Sequence, residues 1–152
     1  MKTYFDTSYL VALYVPNDHT AAALRYRSRN REPIFFTPLH RLELRTTVRQ
    51  CAYGGVITQA AGREALRNIE EDLDDGTLIH QPLDWTVSLR QAESVAERFG
   101  WTNPCRSLDL WHIAAALDIQ AGAFVTFDKH QCALAKAAGL AATNPAKVSA
   151  SN

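Results

Sequence analysis

Short runs rich in β-branched and aromatic residues alternate along this chain with longer runs of helical spacing, and glycine or proline punctuates most of the joins. The strand-like runs are KTYF (2–5), IFFT (34–37), TLIHQP (77–82), AFVTF (123–127) and LAAT (140–143). Helices are expected from the residues after Asp6 through Val15 and Pro16, from about Thr20, over Pro38–Tyr53 up to Gly54 and Gly55, and from Thr58 to about Asp74 near Gly76. Three more are expected: Trp85–Phe99 up to Gly100, Ser107–Ala121 up to Gly122, and KHQCALAKAA closed by Gly139. Strands joined by helices rather than by tight turns run parallel, with right-handed crossovers. The expected fold class is therefore α/β, a three-layer α/β/α sandwich with helices on both faces of a central parallel sheet.

At 152 residues the chain fits one domain, expected over residues 1–145, large enough to bury a core without disulfides or structural metal. The last residues, 146–152, carry no periodic apolar pattern and are expected to form a flexible tail. The run YLVALYV (9–15) is far shorter than the roughly 18 residues a spanning helix needs, and Asp6 interrupts any signal-peptide pattern. A cytoplasmic protein with no membrane partner is the expectation. The three cysteines, Cys51, Cys105 and Cys132, form no C-x-x-C pair and read as reduced core residues, and the five histidines show no soft-metal spacing.

Formal net charge is zero, so the total does not announce nucleic acid, yet the charges are unevenly spread. Residues 19–53 hold seven arginines against two acids, Glu32 and Glu43, whereas residues 62–98 hold nine acids against four arginines. Such blocks are most simply solvated helix faces. The basic block also has the character of a stripe that tracks phosphates.

In open parallel α/β sheets, ligands sit at the carboxyl ends of the strands. Asp6 ends the first strand and Asp128 ends AFVTF, each just before a helix. Asp109 lies near the start of LDLWHIAAAL, a helix that begins at the same edge. Taken singly, each aspartate reads as a helix cap. Taken together, three carboxylates from distant segments are expected on one rim. On the helix from Pro38, Leu44, Val48 and Cys51 form the apolar stripe and Glu43, Thr47 and Gln50 line its edge, so Glu43 borders the core while Arg45 and Arg49 point away from it.

Carboxylates sharing a site repel one another unless a counter-charge is present, and a divalent cation supplies one. All-oxygen ligation suits hard ions, Mg²⁺ or Mn²⁺, and magnesium sites are usually completed by substrate phosphate. Phosphate ester hydrolysis is the chemistry implied.

The segments DTSYLVALY (6–14), LELRTTVR (42–49), LDLWHIAAAL (108–117) and AFVTFDKHQCALAKAAGL (123–140) resemble, in that order, the four signature segments of the PIN domain, and specifically the VapC-like toxins of bacterial toxin–antitoxin pairs. The resemblance spans residues 3 to about 145. It implies a Mg²⁺-dependent endoribonuclease, with Mn²⁺ as a substitute, that cuts RNA, a tRNA or rRNA loop being the expected target. It further implies a homodimer held in check by a cognate antitoxin protein. The family's metal-binding and catalytic acids fall on Asp6, Glu43, Asp109 and Asp128. Thr7, Ser8 and Thr126 stand where the family often has hydroxyls that orient the acids or a metal-bound water, and Arg41, Arg45 and Arg106 are candidate RNA contacts. Some members carry a further acid shortly before the third one. Here Cys105, Arg106, Ser107 and Leu108 precede it, none acidic, which bears on whether a second ion binds. His112, one turn after Asp109, reads as a structural helix-face residue.

Two other classes fit parts of the pattern. An Asp-dependent phosphatase or phospho-receiver domain also places aspartates at strand ends. It would need a second nearby Asp after the first strand or a strand-end lysine, and neither is present. A catalytically silent PIN-fold module that binds RNA or protein is the other.

Overall fold

The computed structural model describes residues 1–148, so residues 149–152 of the expected tail lie outside the described residues. Among the described residues, five strands alternate with seven α-helices, and every ladder is parallel, as the spacing predicts. The ladders form two sheets rather than one. β1 (Thr3–Phe5), β4 (Ala123–Val125) and β5 (Ala141–Thr143) make a sheet in the order β1-β4-β5, while β2 (Ile34–Phe36) pairs with β3 (Leu78–His80). The described residues fall correspondingly into two compact units, 1–6 with 82–148, and Thr7–Gln81.

In the first unit, α5 (Trp85–Phe99) packs on α6 (Ser107–Asp118), and α7 (Lys129–Ala137) crosses from β4 to β5. Tyr4, Phe5, Phe124, Val125, Ile113, Leu134 and Leu140 are buried, with Tyr4 stacked on Phe124 across the β1–β4 ladder. Asp84 caps α5, its Oδ1 accepting from the Val87 N–H at 3.0 Å. α6 stops at Asp118, three residues short of the length its apolar spacing predicts. Ile119 and Ala121 are buried but non-helical, and Gln120 adopts φ 58°, the left-handed turn usually left to glycine. Of the expected tail, Ala146 and Lys147 continue a 3₁₀ turn that begins at Pro145, with Asn144 Oδ1 accepting from the Ala146 N–H at 3.0 Å.

The second unit contains α1 (Thr7–Tyr14), α2 (Thr20–Arg29), β2, α3 (Pro38–Tyr53), α4 (Gln59–Asp74) and β3. Its buried side chains include Tyr9, Leu10, Ile34, Phe36, Leu44, Val48, Ile69 and Leu78, with α3 against α4 and α1 against both α2 and α3. The start of α3 is fixed by a reciprocal cap. Thr37 Oγ1 accepts from the His40 N–H at 3.3 Å, His40 Nδ1 accepts from the Thr37 N–H at 3.0 Å, and Pro38 stands at the first helical position.

The three cysteines are free thiols, half-buried rather than in the core. Among the described residues, no helix is long and apolar enough to cross a membrane.

Candidate active site

In the first unit, Asp6 follows β1 directly, and its N–H continues the ladder by donating to the Val125 carbonyl at 3.0 Å. The side chain is buried, 6% exposed, at the carboxyl end of the strand. On the neighbouring strand the ladder runs out at Val125, so Thr126 and Phe127 carry the chain from β4 into α7. Thr126 is fully buried, and its hydroxyl works in two directions. It donates to Asp6 Oδ2 at 2.8 Å and accepts from the Asp128 N–H at 3.0 Å. One hydroxyl thus ties the carboxylate after β1 to the backbone of the acid after β4.

Asp128 is the N-cap of α7, with Oδ1 accepting from the His130 and Gln131 N–H groups at 2.7 and 2.9 Å. The cap reading of the sequence holds for that oxygen, and both cap bonds leave Oδ2 uninvolved. Asp109 is the third residue of α6 and closes a capping box, its Oδ2 accepting from the Arg106 N–H at 3.2 Å and from Arg106 Nε at 3.3 Å. Arg106 itself is 83% exposed. The Asp109 carbonyl accepts from Gln131 Nε2 at 2.9 Å, which joins the N-terminus of α6 to that of α7. Gln131 is absent from the sequence-based candidates. The signal that could have found it is its place on α7, a polar side chain on the same buried stripe as Leu134 and Ala135. His112 is buried, with Nδ1 2.7 Å from the Tyr4 hydroxyl, the structural role its spacing predicts.

In the second unit, Glu43 is half-buried beside Leu44 on α3, at the border of the core as its helical position predicts. Thr7, the first residue of α1, donates its hydroxyl to Glu43 Oε2 at 2.8 Å, and Ser8 is half-buried next to it. Arg41 and Arg45 both pair with Glu70 of α4, at 2.8 and 2.6 Å. Acidic and basic blocks of the sequence therefore neutralise each other in part along α3 and α4, and Arg49 donates to the Arg45 carbonyl at 3.2 Å.

Among the described residues, no three His, Cys, Asp or Glu side chains are gathered closely enough to make a ready cation cage. Thr126 links Asp6 to the backbone of Asp128, and Gln131 links Asp109 to α7. Magnesium asks for less than a cage, because it is commonly held by one or two carboxylates with waters and substrate phosphate completing its six positions. The donor set suits that ion. Asp128 and Asp109 each keep one oxygen outside their cap bonds, and Gln131 Oε1 is a buried acceptor with no partner.

Comparison with known proteins follows the same lines. The gonococcal protein in the crystal structure of FitAcB from Neisseria gonorrhoeae superposes with a TM-score of 0.68 at 18% identity, over 97% of this chain and 100% of that one. The crystal structure of Mycobacterium tuberculosis VapC20, a sarcin-ricin loop cleaving toxin, superposes with a TM-score of 0.66 at 16% identity, over 87% of this chain and 94% of that one. At such identities the likeness is one of fold. No curated protein sequence matches the chain. The PIN domain model matches residues 3–137, from the start of β1 to the end of α7, so the chain belongs to the PIN domain family.

Proposed function

We propose that this protein is a Mg²⁺-dependent endoribonuclease, able to use Mn²⁺, and that it is the toxin of a toxin–antitoxin pair. The observation that carries the reading is the linkage of three aspartates in one unit, Asp6 to the backbone of Asp128 through the Thr126 hydroxyl, and Asp109 to α7 through Gln131. Asp6 is buried at a strand end, with its carboxylate held by the threonine that follows β4. Membership of the PIN family supports a nuclease and gives no support to an aspartyl-phosphate mechanism.

In this reading Asp6, Asp109 and Asp128 hold the ion. Glu43 joins them and takes the proton of the attacking water, Thr7 fixing the orientation of its carboxylate. Thr7 follows Asp6 in the chain, which supports counting Glu43 with the aspartates. When bound, the ion supplies a more acidic water and neutralises charge on the phosphoryl oxygens. Thr126 keeps Asp6 in one rotamer, so that the carboxylate need not reorganise when substrate arrives. Arg106, exposed beside Asp109, meets a phosphate of the RNA, and Arg41 and Arg45 do so once released from Glu70. The products are a 5′-phosphate and a 3′-hydroxyl. VapC20 is a sarcin-ricin loop cleaving toxin, which supports a structured RNA loop, in tRNA or rRNA, as the substrate here. A homodimer acting in the cytoplasm, silenced by a small antitoxin protein, completes the proposal.

The deciding experiment treats purified protein with EDTA, restores Mg²⁺ or Mn²⁺, and maps the 5′ ends of RNAs cut in total RNA and after a brief pulse of expression. Metal-restored cleavage at one loop, absent from Asp6→Asn, is the expected result. RNA binding without cleavage under any divalent ion would replace the nuclease with a silent binding module.

A further inference from the structure

Gln131 is 2% exposed, and among the described residues its side-chain oxygen is a buried polar atom that lacks a hydrogen-bond partner. The orientation of the amide is dictated by chemistry. The atom facing the Asp109 carbonyl must be the NH₂, since a carbonyl oxygen only accepts, and the unpaired atom is then Oε1. A desolvated acceptor without a donor opposes folding, and an apolar side chain of the same length would avoid that cost. Gln131 is nevertheless bound at two points to the acid-bearing helix starts. Its backbone N–H donates to Asp128 Oδ1 at 2.9 Å, and its NH₂ donates to the Asp109 carbonyl at 2.9 Å.

We propose that Gln131 is a positioning residue of the carboxylate site: its NH₂ group holds the start of α6, with Asp109, against the capped start of α7, with Asp128, and so sets how those two acids stand toward a cation. The inference rests on the metal-dependent reading of the site given above. It gives Gln131 the part that outer partners of metal ligands commonly take, where substitution weakens metal binding by about 10- to 100-fold.

The test joins two measurements. Gln131→Met keeps the length of the side chain and removes both polar atoms. It is expected to melt no lower than wild type in EDTA while binding Mn²⁺ about 10-fold more weakly in an equilibrium titration. In wild-type protein, an NMR titration with Mg²⁺ is expected to move the Gln131 side-chain amide resonances and leave those of Asn30, whose Nδ2 donates to the Tyr26 carbonyl, in place. Should Gln131→Met not fold, the wild-type titration decides alone. A variant that binds Mn²⁺ as tightly as wild type, or a Gln131 amide unmoved at saturating Mg²⁺, overturns the role of Gln131 and leaves the metal site standing. Wild-type protein that takes up no divalent ion overturns both.

Discussion

Replacing Thr126 with valine probes the link between Asp6 and Asp128 with almost no change in shape. Thr126 is fully buried, so the change removes a hydroxyl from a closed site and leaves no cavity. Two bonds go with it. Asp6 Oδ2 loses its 2.8 Å donor while still buried, a charged hydrogen bond of about 1.5–3 kcal/mol, and the Asp128 N–H loses its 3.0 Å acceptor, about 1 kcal/mol more. The half-burial of Asp128 lets water replace part of the second loss, so a net destabilisation of about 2–4 kcal/mol is expected. For a chain of this size that lowers Tm by roughly 4–16 °C. Urea unfolding in EDTA measures the stability, and Mn²⁺ titration of the same sample reads the site. Thr126→Ser, which keeps the hydroxyl and loses a methyl group, should fall by only about 1 kcal/mol and retain metal affinity. A valine variant within about 0.5 kcal/mol of wild type, with unchanged Mn²⁺ binding, would refute the idea that this hydroxyl orients Asp6.

Two further predictions concern charge. Asp118 sits at the C-terminal end of α6, and desolvation, reinforced by the neighbouring Asp84 and opposed by a hydrogen bond from Ser88, raises its pKa above the ordinary 3.8. A raised carboxyl favours the folded state's protonated form, so its penalty is absent below 3.8 and grows as pH rises through the folded-state value. Asp118→Asn should therefore raise Tm at pH near 7, with the gain vanishing toward pH near 3, and thermal melts across that range check it. Glu70→Gln removes the anion shared by Arg41 and Arg45, whose side chains are 41% and 21% exposed against 44% for Glu70. The loss should be about 0.5–1 kcal/mol at low salt and smaller at high salt, while RNA binding tightens and its salt dependence steepens as the arginines are released.

The helices were legible where punctuation and periodicity agree. Pro38–Tyr53 and Trp85–Phe99 have the bounds their caps and terminal glycines predict. The overrun at Ser107–Ala121 has a physical cause, since Ile119 and Ala121 remain apolar and buried beyond the helix and a glutamine takes the left-handed turn. Strands of three residues carry too little pattern to show which pairs with which, so the division into a three-stranded and a two-stranded sheet was not legible. At the site, an aspartate that caps a helix and one that binds a cation are the same residue at the same position, and Asp128 does the first whatever its part in the second. Their order along the chain, and the family that order resembles, are what propose Asp6, Asp109 and Asp128 as a set. The hydrogen bonds of Thr126 to Asp6 and of Gln131 to Asp109 span 120 and 22 residues, and no local pattern announces contacts of that kind.

The central claim is that these acids hold a hard divalent ion. Its most direct test is the equilibrium binding of Mn²⁺ to wild-type protein and to Asp6→Asn, Asp109→Asn and Asp128→Asn, each first shown to be folded by circular dichroism. The account predicts a saturable site in wild type, competed by Mg²⁺ and weakened at least tenfold in each variant. Uptake that is unaffected by all three substitutions, or absent from the wild-type protein, would contradict it.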